Sequence, residues 1–258
     1  MKKVVFILFL TVCAMHAKCQ DAAQLLYDKG MEYFTLDKLV YNSGNLSLYL
    51  ASRYFEMAAN LGSEKAMKRV QRLHSQGYIL TEVSYSPKLR QSAIDGNWRS
   101  MLDLAECLLF DFDVPEDYVS IYSIGNKNTD INQLFVKALN KMENDPDALA
   151  IEYESAYMLW YLFRLYKMDE IDEDFISDLH DFYKEDFMPA KIEYALLLLN
   201  SNYYKHNYKK GIKILEDSYN IYAYQMLAQL YRDGYHDIKP DKDNADFYLI
   251  MAKKIAED

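Results

Sequence analysis

Between Ala51 and Gly77 apolar and small residues recur at helical spacing. Tyr54, Ala58 and Ala59 share one face of a first helix, and Gly62 follows with the conformational freedom to stop it in a left-handed turn. Ser63 then offers a side-chain oxygen to the first free amides of a second helix. On that second helix Ala66, Val70 and His74 return every four residues before Gly77 closes it. The pattern predicts a helix–turn–helix unit with small residues where the two helices meet.

The unit returns. From Gln91 to Asp111, Ala93 stands where Ala59 stood, Gly96 where Gly62 stood, Ser100 for Ala66, Leu104 for Val70 and Leu108 for His74, at a step of 34 residues. Near the C-terminus Ala223, Leu227, Ala228, Tyr231 and Gly234 keep the spacing of Ala66, Val70, Gln71, His74 and Gly77. Ala245, Tyr248 and Ala252 then repeat Ala51, Tyr54 and Ala58, and Ala190, Tyr194, Ala195 and Leu198 open a further copy. Small residues at fixed positions let helices approach closely, and the large residue one turn on fills the gap to the neighbouring unit. One helix pair cannot bury its own apolar face, so copies must stack.

The order alanine, Leu-Gly/Ala, tyrosine, glycine, aspartate, alanine, Trp/Tyr, Ala-Ala resembles the Sel-one-like repeat, a branch of the tetratricopeptide superfamily. Residues 47–80 and 221–258 match best, and 86–112 and 187–220 match in part. The resemblance implies an all-α fold, a right-handed α-solenoid of stacked antiparallel helix pairs, in a protein that works as an adaptor or scaffold for other proteins. Residues 113–186 fit the signature poorly, and drifted helix pairs are expected there.

The expected organisation is a signal peptide over 1–19, then a single α-solenoid domain over 20–258. Its six helix pairs run over about 21–62, 63–96, 97–146, 147–186, 187–220 and 221–258. Ser86-Pro87 and Asp145-Pro146 read as helix starts, each a capping residue before a first-turn proline, and Asp241 reads as the cap of the last helix. The connection at about 111–130 is long for a repeat linker and reads as a surface insertion.

Composition fits this picture. Only 8 glycines and 5 prolines leave little turn chemistry for a β-sandwich. The 24 tyrosines suit half-buried helix faces, with an apolar ring and a polar tip. At the N-terminus Lys2 and Lys3 precede the apolar run Val4–Ala14 and the small-residue site Ala17-Lys18-Cys19, the layout of an export leader. Cleavage there leaves Gln20 first. The alternative is lipidation of Cys19, with Lys18 departing from the small residue such sites place before the cysteine. The apolar run is too short to span a bilayer. The location expected is therefore a bacterial periplasm or cell envelope.

The net charge is −10, and loss of 1–19 removes three lysines and no acid. So acidic a chain is a poor partner for nucleic acid or anionic lipid, and a protein or peptide partner of basic character is expected.

Candidate chemistry is sparse. Cys107 sits in an apolar run and reads as a small buried hydrophobe. The acids Asp169, Glu170, Asp172, Glu173, Asp174, Asp178, Asp181, Glu185 and Asp186 lack the glycine-turned loop of a calcium site, as does Asp241-Lys-Asp243. They read as a solvated face, with Glu173 and its neighbours near a helix N-terminus. His74, His180, His206 and His236 lack zinc-ligand spacing, and His74 takes the groove position that Tyr231 holds in the last unit. No catalytic, cofactor-binding or metal-binding residue is singled out. The expectation is a binding protein and not an enzyme, against the alternatives of a lipid-anchored scaffold and a cell-wall hydrolase.

Overall fold

The computed structural model describes residues 20–35, 44–80, 83–122, 125–168, 173–200, 207–235 and 238–257. The proposed leader, with Cys13 and Cys19, lies outside them, as do Asp169, Glu170, Asp172, His206 and His236. The regular elements among the described residues are helices, without a named strand among them. In order they are α1 (20–35), α2 (Gly44–Asn60), α3 (Glu64–Ser75), α4 (Pro87–Ile94), α5 (Trp98–Phe110), α6 (Lys127–Met142) and α7 (Ala150–Phe163). A π-helical turn over Arg164–Met168 follows, then α8 (Glu173–Lys184), α9 (Met188–Asn200), α10 (Tyr208–Asp217), α11 (Ile221–Asp233) and α12 (Lys242–Glu257).

Most of these helices start on a side-chain cap, which satisfies an amide that has no partner inside the helix. Ser63 accepts from Ala66 N at 3.3 Å and Ser86 from Leu89 N at 3.1 Å. Asp241 accepts from Asn244 N at 3.1 Å. Asparagines do the same for α5, α6, α10 and α11: Asn97, Asn126, Asn207 and Asn220. At the other ends, Gly62 and Gly96 adopt φ of 94° and 97°, the left-handed region that a Cβ disfavours.

Asp145-Pro146 does not start a helix. The Asp145 carboxylate is taken by the Asp147 amide (2.9 Å) and the Trp98 indole N–H (2.5 Å), while Ala148 N closes a turn on the Asp145 carbonyl (3.1 Å). Pro146 occupies the second position of that turn, where its fixed φ is at home. Helix α7 begins only at Ala150, with Glu152 Oε2 accepting the Leu149 amide at 3.3 Å.

The fold divides into two compact units. Of the described residues, one takes those within Met1–Asp37 and Ser47–Glu82, the other those within Lys38–Leu46 and Val83–Asp258. In the first, Phe55 of α2 meets Tyr27 and Phe34 of α1 at 5.4 and 5.8 Å. Gly30 admits this ring, since a Cβ there would lie 2.6 Å from it. Tyr49 and Tyr78 are fully buried edge to face at 5.3 Å. Ala51, Ala58 and Ala66 are closed to solvent, as small residues at a close helix contact must be.

In the second unit α4 packs on α5, α5 on α6 and α6 on α7, then α8 on α9, α9 on α10, α10 on α11 and α11 on α12. Contact between sequence neighbours, in antiparallel pairs, is the signature of helix-pair repeats. Ala190, Ala195 and Ala223 are fully buried at these contacts.

The connection from α5 to α6 is held to the body of the unit. Asp130 of α6 is completely buried and accepts from Tyr118 OH (2.7 Å), Ser120 Oγ (2.6 Å) and Ile121 N (3.0 Å). One carboxylate thus gathers three donors from a segment with no secondary structure of its own. Tyr85 N also reaches back to Phe112 O at 2.9 Å.

Candidate functional site

Helix α7, AIEYESAYMLWYLF, is apolar almost all round, the mark of a helix packed on several sides. One of its faces carries Tyr153, Tyr157 and Trp160, at spacings of four and three, with Arg164 one turn beyond. These side chains are half-buried. With Val136, Leu139, Asn140 and Glu143 of the α6 side and Asp178 and Phe182 of α8, Tyr153, Tyr157 and Trp160 line a groove of about 400 Å³.

The rings are locked. Tyr157 meets Trp160 edge-on at 5.5 Å and Phe182 at 5.2 Å, and Trp160 meets Phe175 at 4.9 Å. The Trp160 indole N–H donates to Asn132 Oδ1 at 2.7 Å. Below the groove Leu139, Met142 and Ala156 form a buried floor, against which Trp98, Tyr153, Tyr157 and Trp160 rest.

Two carboxylates mark the polar rim. Tyr153 OH donates to Glu143 Oε1 at 3.0 Å, and Tyr157 OH donates to Asp178 Oδ2. Burial and the Glu143 carboxylate push the Tyr153 phenol up to about 12, with Asp178 adding to the effect. Both acids therefore act on one ring. Nearby Glu154 is also raised, by burial first and then by the charge of Glu185. The groove is an aromatic trough whose charged lining residues are Glu143 and Asp178.

Cations stand over rings beside the groove, and one of them also reaches Trp160. The Arg164 guanidinium lies 4.1 Å from the centre of Phe175 and 5.5 Å from that of Trp160, and Arg99 lies 4.4 Å over Trp98. Ring faces draw cations through their quadrupole, the more strongly when partly shielded from water. Tyr153, Tyr157 and Trp160 thus give the groove an aromatic lining, with the Glu143 and Asp178 carboxylates beside them.

The chain is similar to a solved structure described as a Sel1 repeat protein from Oxalobacter formigenes, with 15% identity over 90% of this chain and 88% of that one and a TM-score of 0.41. No family model matches the chain, and no curated protein does.

The residues weighed from sequence lie elsewhere, with one exception. Asp178 lines the groove. Cys107 is fully buried in α5, its Sγ 3.3 Å from Val83 O. His74 is half-buried in the first unit, where burial lowers its pKa, and its Nε2 lies 4.0 Å from Glu56. His180 rests against Tyr194 at 5.1 Å and Tyr183 at 5.9 Å. Glu173 and Asp174 occupy the first turn of α8, where the helix dipole favours their charge. Asp241 caps α12 and Asp243 lies in its first turn. Among the described residues no group of three or more His, Cys, Asp or Glu is placed to hold a metal ion, and no helix is long and apolar enough to cross a membrane.

Sequence reasoning missed the groove. Its signal was present as Tyr153, Tyr157, Trp160 and Arg164 on one helical stripe, inside the stretch that fits the repeat signature poorly.

A second feature is buried. Glu193 of α9 has 2% of its surface exposed and accepts from Asn45 Nδ2 at 2.7 Å and Tyr166 OH at 3.1 Å. Both donors are neutral. Burial outweighs these two hydrogen bonds and raises the carboxyl to about 7. Tyr161, whose hydroxyl finds no partner among the described residues, is held neutral by burial and by the Glu193 charge.

Proposed function

We propose that this chain is an exported helical-repeat scaffold of the cell envelope, which binds a basic segment of a partner protein in the groove between α6, α7 and α8 and acts by binding, not by turnover. The observation that carries the reading is the pairing of Tyr153 and Tyr157 with Glu143 and Asp178 on the rim of that groove. Tyrosine and tryptophan dominate binding energy at protein interfaces because a rigid ring buries much area at little entropic cost. The acids add steering toward a basic partner and exclude acidic ones. The leader-like residues 1–19 support export, and the net charge of −10 supports a basic partner.

The test is affinity capture from envelope extract of the source organism at low and moderate salt, with the purified protein and a Tyr157→Ala, Asp178→Lys variant as parallel baits. A saturable prey held by the wild type, weakened by salt and lost from the variant supports the proposal. Prey held equally by both baits contradicts it.

A further inference from the structure

Helix α12 buries one face and leaves an ordered stripe on the other. Ala245, Ala252 and Ile255 point inward, and α12 packs on α11. Tyr248 stacks on Tyr231 of α11 at 5.7 Å and donates to Glu216 at 2.7 Å. On the opposite side Asp243, Phe247, Ile250 and Lys254 follow one another at steps of four, three and four. That is the spacing of a coiled-coil seam. Phe247 is 52% and Ile250 64% exposed, and Asp243 and Lys254 are exposed and make no ion pair with a described residue. Large apolar side chains in such a row need an explanation that scattered ones do not.

The order of the stripe indicates its occupant. Read in one direction it runs acid, aromatic, aliphatic, base. Turned about a two-fold axis between Phe247 and Ile250, it meets itself with every position matched. Phe247 faces the second copy's Ile250, and Asp243 faces the second copy's Lys254, each twice over. A two-fold contact demands such self-complementarity, in which residue i touches j and j touches i. A parallel pairing would set acid on acid and base on base.

We propose that this face of α12 is the seat of a second copy of the chain, docked as an antiparallel helix pair. One helix face falls short of the ~1,200 Å² that a stable interface buries, so the dimer is weak and forms with rising concentration.

The test is a charge exchange on the full chain. Asp243→Lys and Lys254→Asp each set like charges face to face at both ends of the seam. Mixed one to one, the two variants restore opposite charges at both ends. The lysine introduced at position 243 of one chain meets the aspartate introduced at position 254 of the other, and the unchanged Lys254 meets the unchanged Asp243. Sedimentation equilibrium from about 1 to about 500 µM protein should show a concentration-dependent dimer for the wild type. Each single variant should dimerise at least ~10-fold more weakly, and the mixture should recover the dimer. Ile250→Asp, at an exposed position, should remain monomeric while keeping the wild-type circular dichroism spectrum. A wild type that is monomeric throughout overturns the proposal, as does dimerisation that the single variants leave unchanged or that the mixture fails to restore.

Discussion

Asn45, at the start of α2, donates its side-chain amide across 2.7 Å to Glu193 of α9, which stands 148 residues later. The same amide reaches Pro189 O at 3.2 Å, and Tyr166 from the π-helical turn closes on the other carboxylate oxygen. One buried acid thus joins three segments of the second unit without a cation.

That arrangement makes stability depend on pH. The folded protein holds a proton on Glu193 up to about 7, whereas the unfolded chain releases it near the ordinary 4.5. The contribution is complete below the unfolded value and is lost as the pH rises through about 7, on the order of 3 kcal/mol in all. Glu193→Gln removes the titration and keeps an acceptor for Asn45. Denaturant melts should find the variant close to wild type near about pH 5 and more stable by ~2–3 kcal/mol near about pH 8. A difference that stays flat between those values contradicts the assignment.

The small residues of the repeat give a second prediction. Ala66 and Ala223 have no exposed surface. Leucine at either place must displace a neighbouring helix, and thermal melts of Ala66→Leu and Ala223→Leu should each report a loss of ~1–3 kcal/mol. Wild-type melting by both would mean that these positions are not helix contacts.

These alanines were legible in the sequence because their reason is local and repeated. A helix contact that recurs must be kept open by a small residue each time, and Gly62 and Gly96 must stop a helix each time. The caps at Ser63, Ser86 and Asp241 were legible for the same reason. Asp145-Pro146 misled because Asp145 spends its carboxylate on Trp98 and on its own turn, and a capping residue needs a free oxygen. The groove was visible as a stripe on α7 but not as a site, since Glu143 and Asp178 reach it from two other segments. Glu193 was beyond reading, because neither Asn45 nor Tyr166 lies near it in sequence.

The α5–α6 connection supplies a third prediction. Asp130 holds Tyr118, Ser120 and Ile121, and burial together with this carboxylate raises the Tyr118 phenol well above its ordinary value. Asp130→Ala leaves three donors without their acceptor and should destabilise by ~1–3 kcal/mol. It should also open residues 111–122 to limited proteolysis, read as early cleavage there by mass spectrometry. Cleavage at the wild-type rate would mean that the carboxylate does not hold this segment.

The central claim is tested most directly by asking the groove what it selects. Random linear peptides displayed on phage would be panned on immobilised wild-type protein and on a Glu143→Lys, Asp178→Lys variant of unchanged circular dichroism. The account predicts a wild-type pool enriched in lysine and arginine beside apolar residues. Its affinity should fall with salt, and its binding should perturb Trp160 fluorescence and be lost on the variant. A pool without basic enrichment, or one that binds both proteins equally, would contradict it.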